Sequence, residues 1–208
     1  YNLKKNLITN QLIDEKFEVS KPKSIYGFTK YASEMLIEEF NYAFGLKYII
    51  NRCGVISGPW QFGKQDQGFV SLWVWKHLNK KKLNYIGFGG KGIQMRDVIH
   101  IYDVCKLIAL QIKKIKNINN LTMNVGGGKK NTISLKDLTR LCQKMTLNKI
   151  KISSIKKTSE YDIPYYVTDN TKVRKIYKWH PKKNFLDIVE DVYIWMIFNK
   201  KKLRKYIK

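Results

Sequence analysis

Tyr26 and Lys30 stand four residues apart in the run Ser24-Ile-Tyr-Gly-Phe-Thr-Lys30. Four residues is about one helical turn, so on a helix the phenol and the ammonium share a face. An ammonium beside a phenol favours the phenolate, and such a tyrosine can exchange a proton with a substrate hydroxyl. On spacing alone, an ordinary amphipathic helix accounts for the pair better, because the chain is rich in both residue types. A second pattern, Gly87-Phe-Gly89-Gly-Lys-Gly92, has the spacing of a dinucleotide-binding loop. That loop needs a helix directly after it to receive a pyrophosphate. Here the alternating, β-branched run Ile93 to Ile101 follows, which reads as strand, so the pattern is rejected as a cofactor fingerprint. Gly126 to Gly128 reads as a strand-end turn. His77, His100 and His180 lie in unrelated contexts and no CxxC pair occurs, so no metal site is expected. No serine sits in a nucleophile-elbow context.

The elements that must position these residues alternate between strand and helix. Residues 24–44 read as a helix, with Ser24 as N-cap and Ala32, Met35, Leu36, Phe40 and Ala43 on one face. Gly45 is placed to end it. Residues 47–55 read as a strand closed by Gly58-Pro59. A helix over 68–78 and a strand over 83–86 follow. Further on, 98–101 reads as strand and 103–112 as a helix capped by Asp103. Residues 122–125 read as strand, then a helix capped by Ser134 runs to about Met145. A short strand at 165–167 and helices over 171–177 and 186–198 complete the pattern. From Asn199 the tail is basic and expected to fray. This alternation argues for an α/β sheet fold.

Composition narrows the function. The 208 residues carry 40 Lys plus Arg against 16 Asp plus Glu, a formal net charge of +24. Only five of those cations are Arg (Arg52, Arg96, Arg140, Arg174, Arg204). Arginine is the residue that reads phosphates and bases bidentately. A solvated lysine-rich surface is therefore the leading reading, and a non-catalytic polyanion-binding protein the rival from another class. No run of roughly 18 uncharged apolar residues suggests a membrane span. Three scattered cysteines and no signal-peptide pattern point to a reducing cytoplasm.

Five segments, taken in order, resemble the extended short-chain dehydrogenase/reductase family, in particular its nucleotide-sugar epimerases and dehydratases. Ser24 to Lys30 with Glu34 is similar to that family's catalytic helix. Asn51-Arg-Cys-Gly-Val-Ile-Ser-Gly-Pro59 resembles the strand and turn that follow it. Gln94-Met-Arg-Asp-Val-Ile-His100 with Asp103, then Asn124-Val-Gly-Gly-Gly128, then Trp179 and Pro181 complete the series. Trp60-Gln-Phe-Gly-Lys-Gln-Asp-Gln-Gly68 is similar to a segment of the CDP-paratose (CDP-tyvelose) 2-epimerase subgroup.

The resemblance implies the C-terminal portion of a Rossmann-type doubly wound parallel sheet plus a small α/β substrate-binding subdomain. Residues 1–56 are expected to be the second half of the NAD-binding domain. Residues 57–198 are expected to be mainly substrate-binding, returning to the Rossmann sheet near 97–128, with a basic tail over 199–208. The implied activity is NAD-dependent epimerisation of a nucleotide-diphosphate sugar, with a 4-epimerase or 4,6-dehydratase as the alternative. Tyr26 and Lys30 would be catalytic and, with Cys53, Gly54 and Val55, would touch NAD. Gln61, Tyr85, Ile86, Gly87, Arg96 and Asp162 would touch the substrate, Arg96 as the fork for its diphosphate. Members of the family often carry Arg at the position of Ser159, so Lys156 or Lys157 is the reserve candidate. Nucleic acid and membrane are not expected partners, and a homodimer of the full-length protein is. Only 25 residues precede Tyr26 and the chain begins at Tyr1. The cofactor fingerprint is therefore expected upstream of this chain, and the chain alone is expected to be inactive.

Overall fold

The computed structural model describes residues 12–21, 24–64 and 67–207. Helix α1 spans Ile25–Phe44. Ser24 caps it, its hydroxyl accepting from the Gly27 N–H at 3.1 Å, and Gly45 closes it in the left-handed conformation at φ 67°. No residue of α1 is buried. Its apolar residues Met35, Leu36 and Phe40 are all exposed.

The expected strand over 47–55 divides at Gly54 into β1 (Ile49–Cys53) and β2 (Val55–Ser57). The division lets the chain change neighbours. Strand β1 pairs in parallel with β5 (Leu121–Val125), Ile49 opposite Leu121. Strand β2 pairs in parallel with β4 (Met95–His100), Val55 opposite Val98. Strand β4 also pairs antiparallel with β6 (Thr132–Ser134) and parallel with β8 (Tyr165–Tyr166). Strand β3 (Leu83–Ile86) pairs in parallel with β7 (Ile152–Ile155). The helices are α2 (Phe69–Leu78), α3 (Ile101–Lys114), α4 (Leu135–Thr146), α5 (Thr171–Tyr177), α6 (Phe185–Phe198) and α7 (Lys200–Leu203). This is the α/β, mainly parallel architecture that the alternation of elements predicts.

Two hydrophobic cores fix the layers. One gathers Trp73 and Trp75 of α2, Leu138 of α4 and Ile188, Val192 and Met196 of α6. The other packs Leu107 of α3 and Val173 and Tyr177 of α5 against Ile99, Met123 and Val125. A buried side chain of this size contributes about 1.5–3 kcal/mol relative to leaving it in water.

Three local expectations need correction. Helix α3 is capped by His100, whose Nδ1 accepts from the Tyr102 N–H at 3.0 Å, not by Asp103. Asp103 lies buried inside the first turn, where its Oδ2 accepts the Lys182 and Lys183 N–H groups at 3.1 and 3.0 Å. The carboxylate thus satisfies backbone donors distant in sequence, a use no local pattern announces. Strands β6 and β7 were not anticipated, because three or four residues carry too little periodicity. The tail does not fray within the described residues. Leu203 and Ile207 are buried, and the Trp75 Nε1–H donates to the Ile207 carbonyl at 3.1 Å.

Candidate functional site

Tyr26 and Lys30 lie in the first two turns of α1. The Lys30 Nζ stands over the Tyr26 ring, 5.5 Å from its centroid. Both side chains are exposed, and no described carboxylate pairs with Lys30. One turn further along, Glu34 receives the Arg52 guanidinium as a fork, Nε to Oε1 at 3.0 Å and the terminal nitrogen to Oε2 at 2.6 Å. Both partners are mostly buried, and the hydrogen bond to Glu34 holds the Arg52 pKa above its usual range. This pair fastens the face of α1 that carries Tyr26 and Lys30 to strand β1, one residue before Cys53.

The segment Cys53-Gly54-Val55 bridges β1 and β2. The Gly54 N–H donates to the Val125 carbonyl at 2.8 Å. A Cβ built on Gly54 would stand 3.0 Å from Thr168 Oγ1 and 3.2 Å from Asp97 Oδ1. On Gly126 it would stand 2.2 Å from Thr168 Oγ1 and 2.3 Å from Asp97 Oδ2. The backbone at both glycines therefore closes directly over Asp97, which accepts from the Gly128 N–H at 2.9 Å. Asp97 is fully buried, and burial pushes its carboxyl above the usual carboxylate range.

A cleft of about 950 Å³ opens between α2, β3 and the 159–162 turn. Ile86, Gly87 and Asp162 line it. Tyr85 does not. Its ring stacks on Trp73 with centroids 6.4 Å apart, and its hydroxyl donates to Thr139 Oγ1 at 2.8 Å. Gln61 is also outside the lining. Its Nε2 donates to the Ile56 carbonyl at 2.8 Å, and its Oε1 accepts from Ser57 Oγ at 3.1 Å, so it braces the chain after β2. Arg96 is engaged. One terminal nitrogen donates to Asp162 Oδ1 at 2.5 Å and to the Ile163 carbonyl at 2.6 Å, and the other donates to the Met95 carbonyl at 2.7 Å. Burial lowers the Arg96 pKa while Asp162 raises it. A guanidinium so occupied presents no open fork. The reserve candidates Lys156 and Lys157 are exposed and do not line the cleft.

Cations of the cleft come from elsewhere. Lys64, Lys76 and Lys82 line it, and the one carboxylate among its described lining residues, Asp162, is paired with Arg96. Burial and the nearby Lys81 push the Lys76 ammonium down, so an anion placed there would be held by relieving that repulsion. Gln94 lines the cleft as well. Sequence reasoning missed these residues. In a chain with 35 lysines, three that converge carry no distinguishing signal, and Gln94 sat inside a recognised motif without a role.

Residues 6–126 match the family described as NAD dependent epimerase/dehydratase. The chain belongs to that family. It is 28% identical over 174 residues to the CDP-paratose 2-epimerase of Salmonella typhi, covering 83% of this chain and 51% of that protein. It is 32% identical over 122 residues to a putative UDP-glucose 4-epimerase of Methanocaldococcus jannaschii, covering 59% of this chain and 37% of the relative. Among solved structures, the UDP-glucose 4-epimerase of Thermus thermophilus in complex with NAD superimposes with a TM-score of 0.78 at 19% identity, over 91% of this chain and 58% of that one. The epimerase-family chain thus spans about half the length of the curated relatives it matches. Its Tyr26 and Lys30 fit the family's cofactor: an exposed phenol and an ammonium with no carboxylate partner among the described residues suit the hydroxyls of a nicotinamide ribose.

Proposed function

We propose that this chain is the catalytic-helix and substrate-binding portion of an NAD-dependent epimerase acting on a nucleotide-diphosphate sugar, of the CDP-paratose 2-epimerase type. The observation that carries the reading is the Tyr26–Lys30 pair, exposed on one face of α1 and braced from below by Glu34 and Arg52. The 83% coverage by a CDP-paratose 2-epimerase and the Trp60 to Gly68 segment support the subtype.

In this reading the Tyr26 phenolic oxygen, acting as phenolate, takes the proton of a sugar hydroxyl when that carbon is oxidised, and the resulting phenol returns it when the carbon is reduced. Bound NAD supplies the hydride acceptor and donor. Lys30, whose ammonium stands over the Tyr26 ring, would hold the nicotinamide ribose. Cys53, Gly54 and Val55 would line the nicotinamide site, with the Gly54 backbone packed over the buried Asp97 and Thr168. The diphosphate enters the cleft lined by Lys64, Lys76 and Lys82, three point charges that tolerate a moving sugar.

The test is to incubate the whole protein with NAD and a CDP-linked sugar and to follow inversion at the sugar carbon by proton NMR. Appearance of the 2-epimer supports the subtype. Inversion only at the 4-position, with UDP-linked sugars, keeps the family reading and removes the subtype. No sugar inversion and no NAD binding would remove the enzyme reading.

A further inference from the structure

The turn that follows α7 comes back to the cleft. Leu203 and Ile207 are buried and anchor it. The Ile207 N–H donates to the Leu203 carbonyl at 2.9 Å, and the Ile207 carbonyl accepts from the Trp75 Nε1–H of α2 at 3.1 Å. Tyr206 lies between these anchors. Its own N–H donates to the Leu203 carbonyl at 2.9 Å, so its backbone is fixed, yet the residue is 72% exposed and lines the cleft. The Phe62 ring meets the Tyr206 ring at 71° with centroids 6.0 Å apart. Phe62 and Trp60 in turn contact Trp195 of α6, with centroids 6.1 and 5.7 Å apart. This row of rings ties the C-terminal turn to the loop that carries Lys64, two residues after Phe62. An accessible aromatic ring and a cation therefore meet at one lip of the cleft, from segments remote in sequence. Other rings of the lining are less free. Phe69 packs against the core, and Trp73 is buried with Tyr85 stacked on it. Tyr161 is exposed as well and is the competing ring.

We propose that Tyr206 is a binding residue for the nucleobase, its ring stacking on the base while Lys64, Lys76 and Lys82 of the same cleft take the diphosphate. The inference rests on the sugar-nucleotide reading of the cleft and goes beyond it by giving the C-terminal turn a part in binding. A nucleotide is a planar π-system tethered to an anion, and the lip offers a partner to each end. A tyrosine on a fixed backbone, with few rotatable bonds, loses little freedom when a base settles on it. Its ring supplies the contact, and its hydroxyl is not needed. Stacking uses the π-face that every base has, so the contact holds cytosine and uracil alike.

The experiment is calorimetric titration of the whole protein with CDP, UDP and inorganic pyrophosphate, for the natural chain, Tyr206→Phe and Tyr206→Leu. Tyr206→Leu should weaken CDP and UDP by about 10-fold or more, and Tyr206→Phe should keep both. Pyrophosphate, which has no base, should bind all three proteins equally. Irradiation of the natural protein with 5-iodo-UDP, whose base cross-links to a ring it stacks on, should mark Tyr206 by peptide mass spectrometry, and this decides even if a variant does not fold. Equal loss of all three ligands in Tyr206→Leu would make Tyr206 a structural support of the turn. Unchanged CDP and UDP affinity in that variant, or a cross-link at Tyr161 alone, would put the base elsewhere. Each of these results overturns the inference and leaves the cleft as a nucleotide site. Failure of CDP and UDP to bind the natural protein would overturn the sugar-nucleotide reading itself and this inference with it.

Discussion

Tyr26 is where the chemistry is concentrated, and its surroundings make a sharp prediction. The side chain is exposed, and the Lys30 ammonium stands over its ring. Tyr26→Phe removes the proton carrier and keeps the ring. Turnover in the whole protein should fall by about 10²–10⁴-fold, the usual contribution of a positioned acid-base group. Nucleotide affinity measured by calorimetry should stay unchanged. A variant with near-normal turnover would reduce Tyr26 to a helix residue. Arg96 makes the opposite prediction. Its nitrogens are held by Asp162 and two carbonyls, so it fastens the 162–163 turn to β4. Arg96→Lys keeps one charge but cannot reach three acceptors with the same geometry. It should lower stability by about 1–3 kcal/mol, read as a drop in denaturant midpoint. A variant of unchanged stability that had lost diphosphate affinity would return Arg96 to the substrate.

Among the elements, α1 depends on contacts it makes beyond its own length. With no buried residue, the helix draws little from packing, and the Glu34–Arg52 fork is its principal polar attachment to β1 among the described residues. Glu34→Gln leaves a mostly buried guanidinium without its counter-charge. The expected cost is about 1–3 kcal/mol, with faster amide hydrogen exchange in α1 than in α2 or α6. Uniform exchange across all three helices would show that α1 is held by something else. Much of this level was legible beforehand. Ser24 and Gly45 fix the ends of α1 because caps are local chemistry, and the Gly87 to Gly92 loop was correctly denied a following helix. What stayed hidden depends on distance in sequence. The Arg96–Asp162 pair joins residues 66 apart, Asp103 serves a segment near 182, and Leu203 and Ile207 return from a lysine-rich tail to the core. Local pattern cannot report such contacts, because each is set by where the sheet places a remote segment.

At the scale of the whole molecule, charge is the dominant unbalanced term. The chain has 40 Lys plus Arg against 16 Asp plus Glu, so fewer than half of its cations can have a carboxylate of their own. The excess of 24 positive charges sets up a self-repulsion that works against the compact state. Salt screens such repulsion over a length of about 10 Å at 0.1 M. Raising salt from about 0.02 to 0.5 M should stabilise the fold by about 1–2 kcal/mol, which for a chain of this size is roughly 2–8 °C in melting temperature. Acidification should act in the other direction. His77 is fully buried, with its Nδ1 placed 2.8 Å from the Trp73 carbonyl and its Nε2 without a partner among the described residues, and burial lowers its pKa. Burial lowers that of His100 too, although Asp191 and Asp103 pull it upward against Lys183. An unfolded histidine takes its proton near pH 6.5 while these two still refuse it, so the unfolded state binds more protons and stability falls as the pH falls below about 6.5. Asp97, raised by burial, has the opposite sign and acts nearer the carboxylate range. Thermal melts between pH 7.5 and 5.5 at constant ionic strength therefore isolate the histidines, and the melting temperature should decline across that window. A melting temperature that falls with salt, or holds steady as the pH drops, would mean that the charge is already compensated and the histidines already charged in the folded chain.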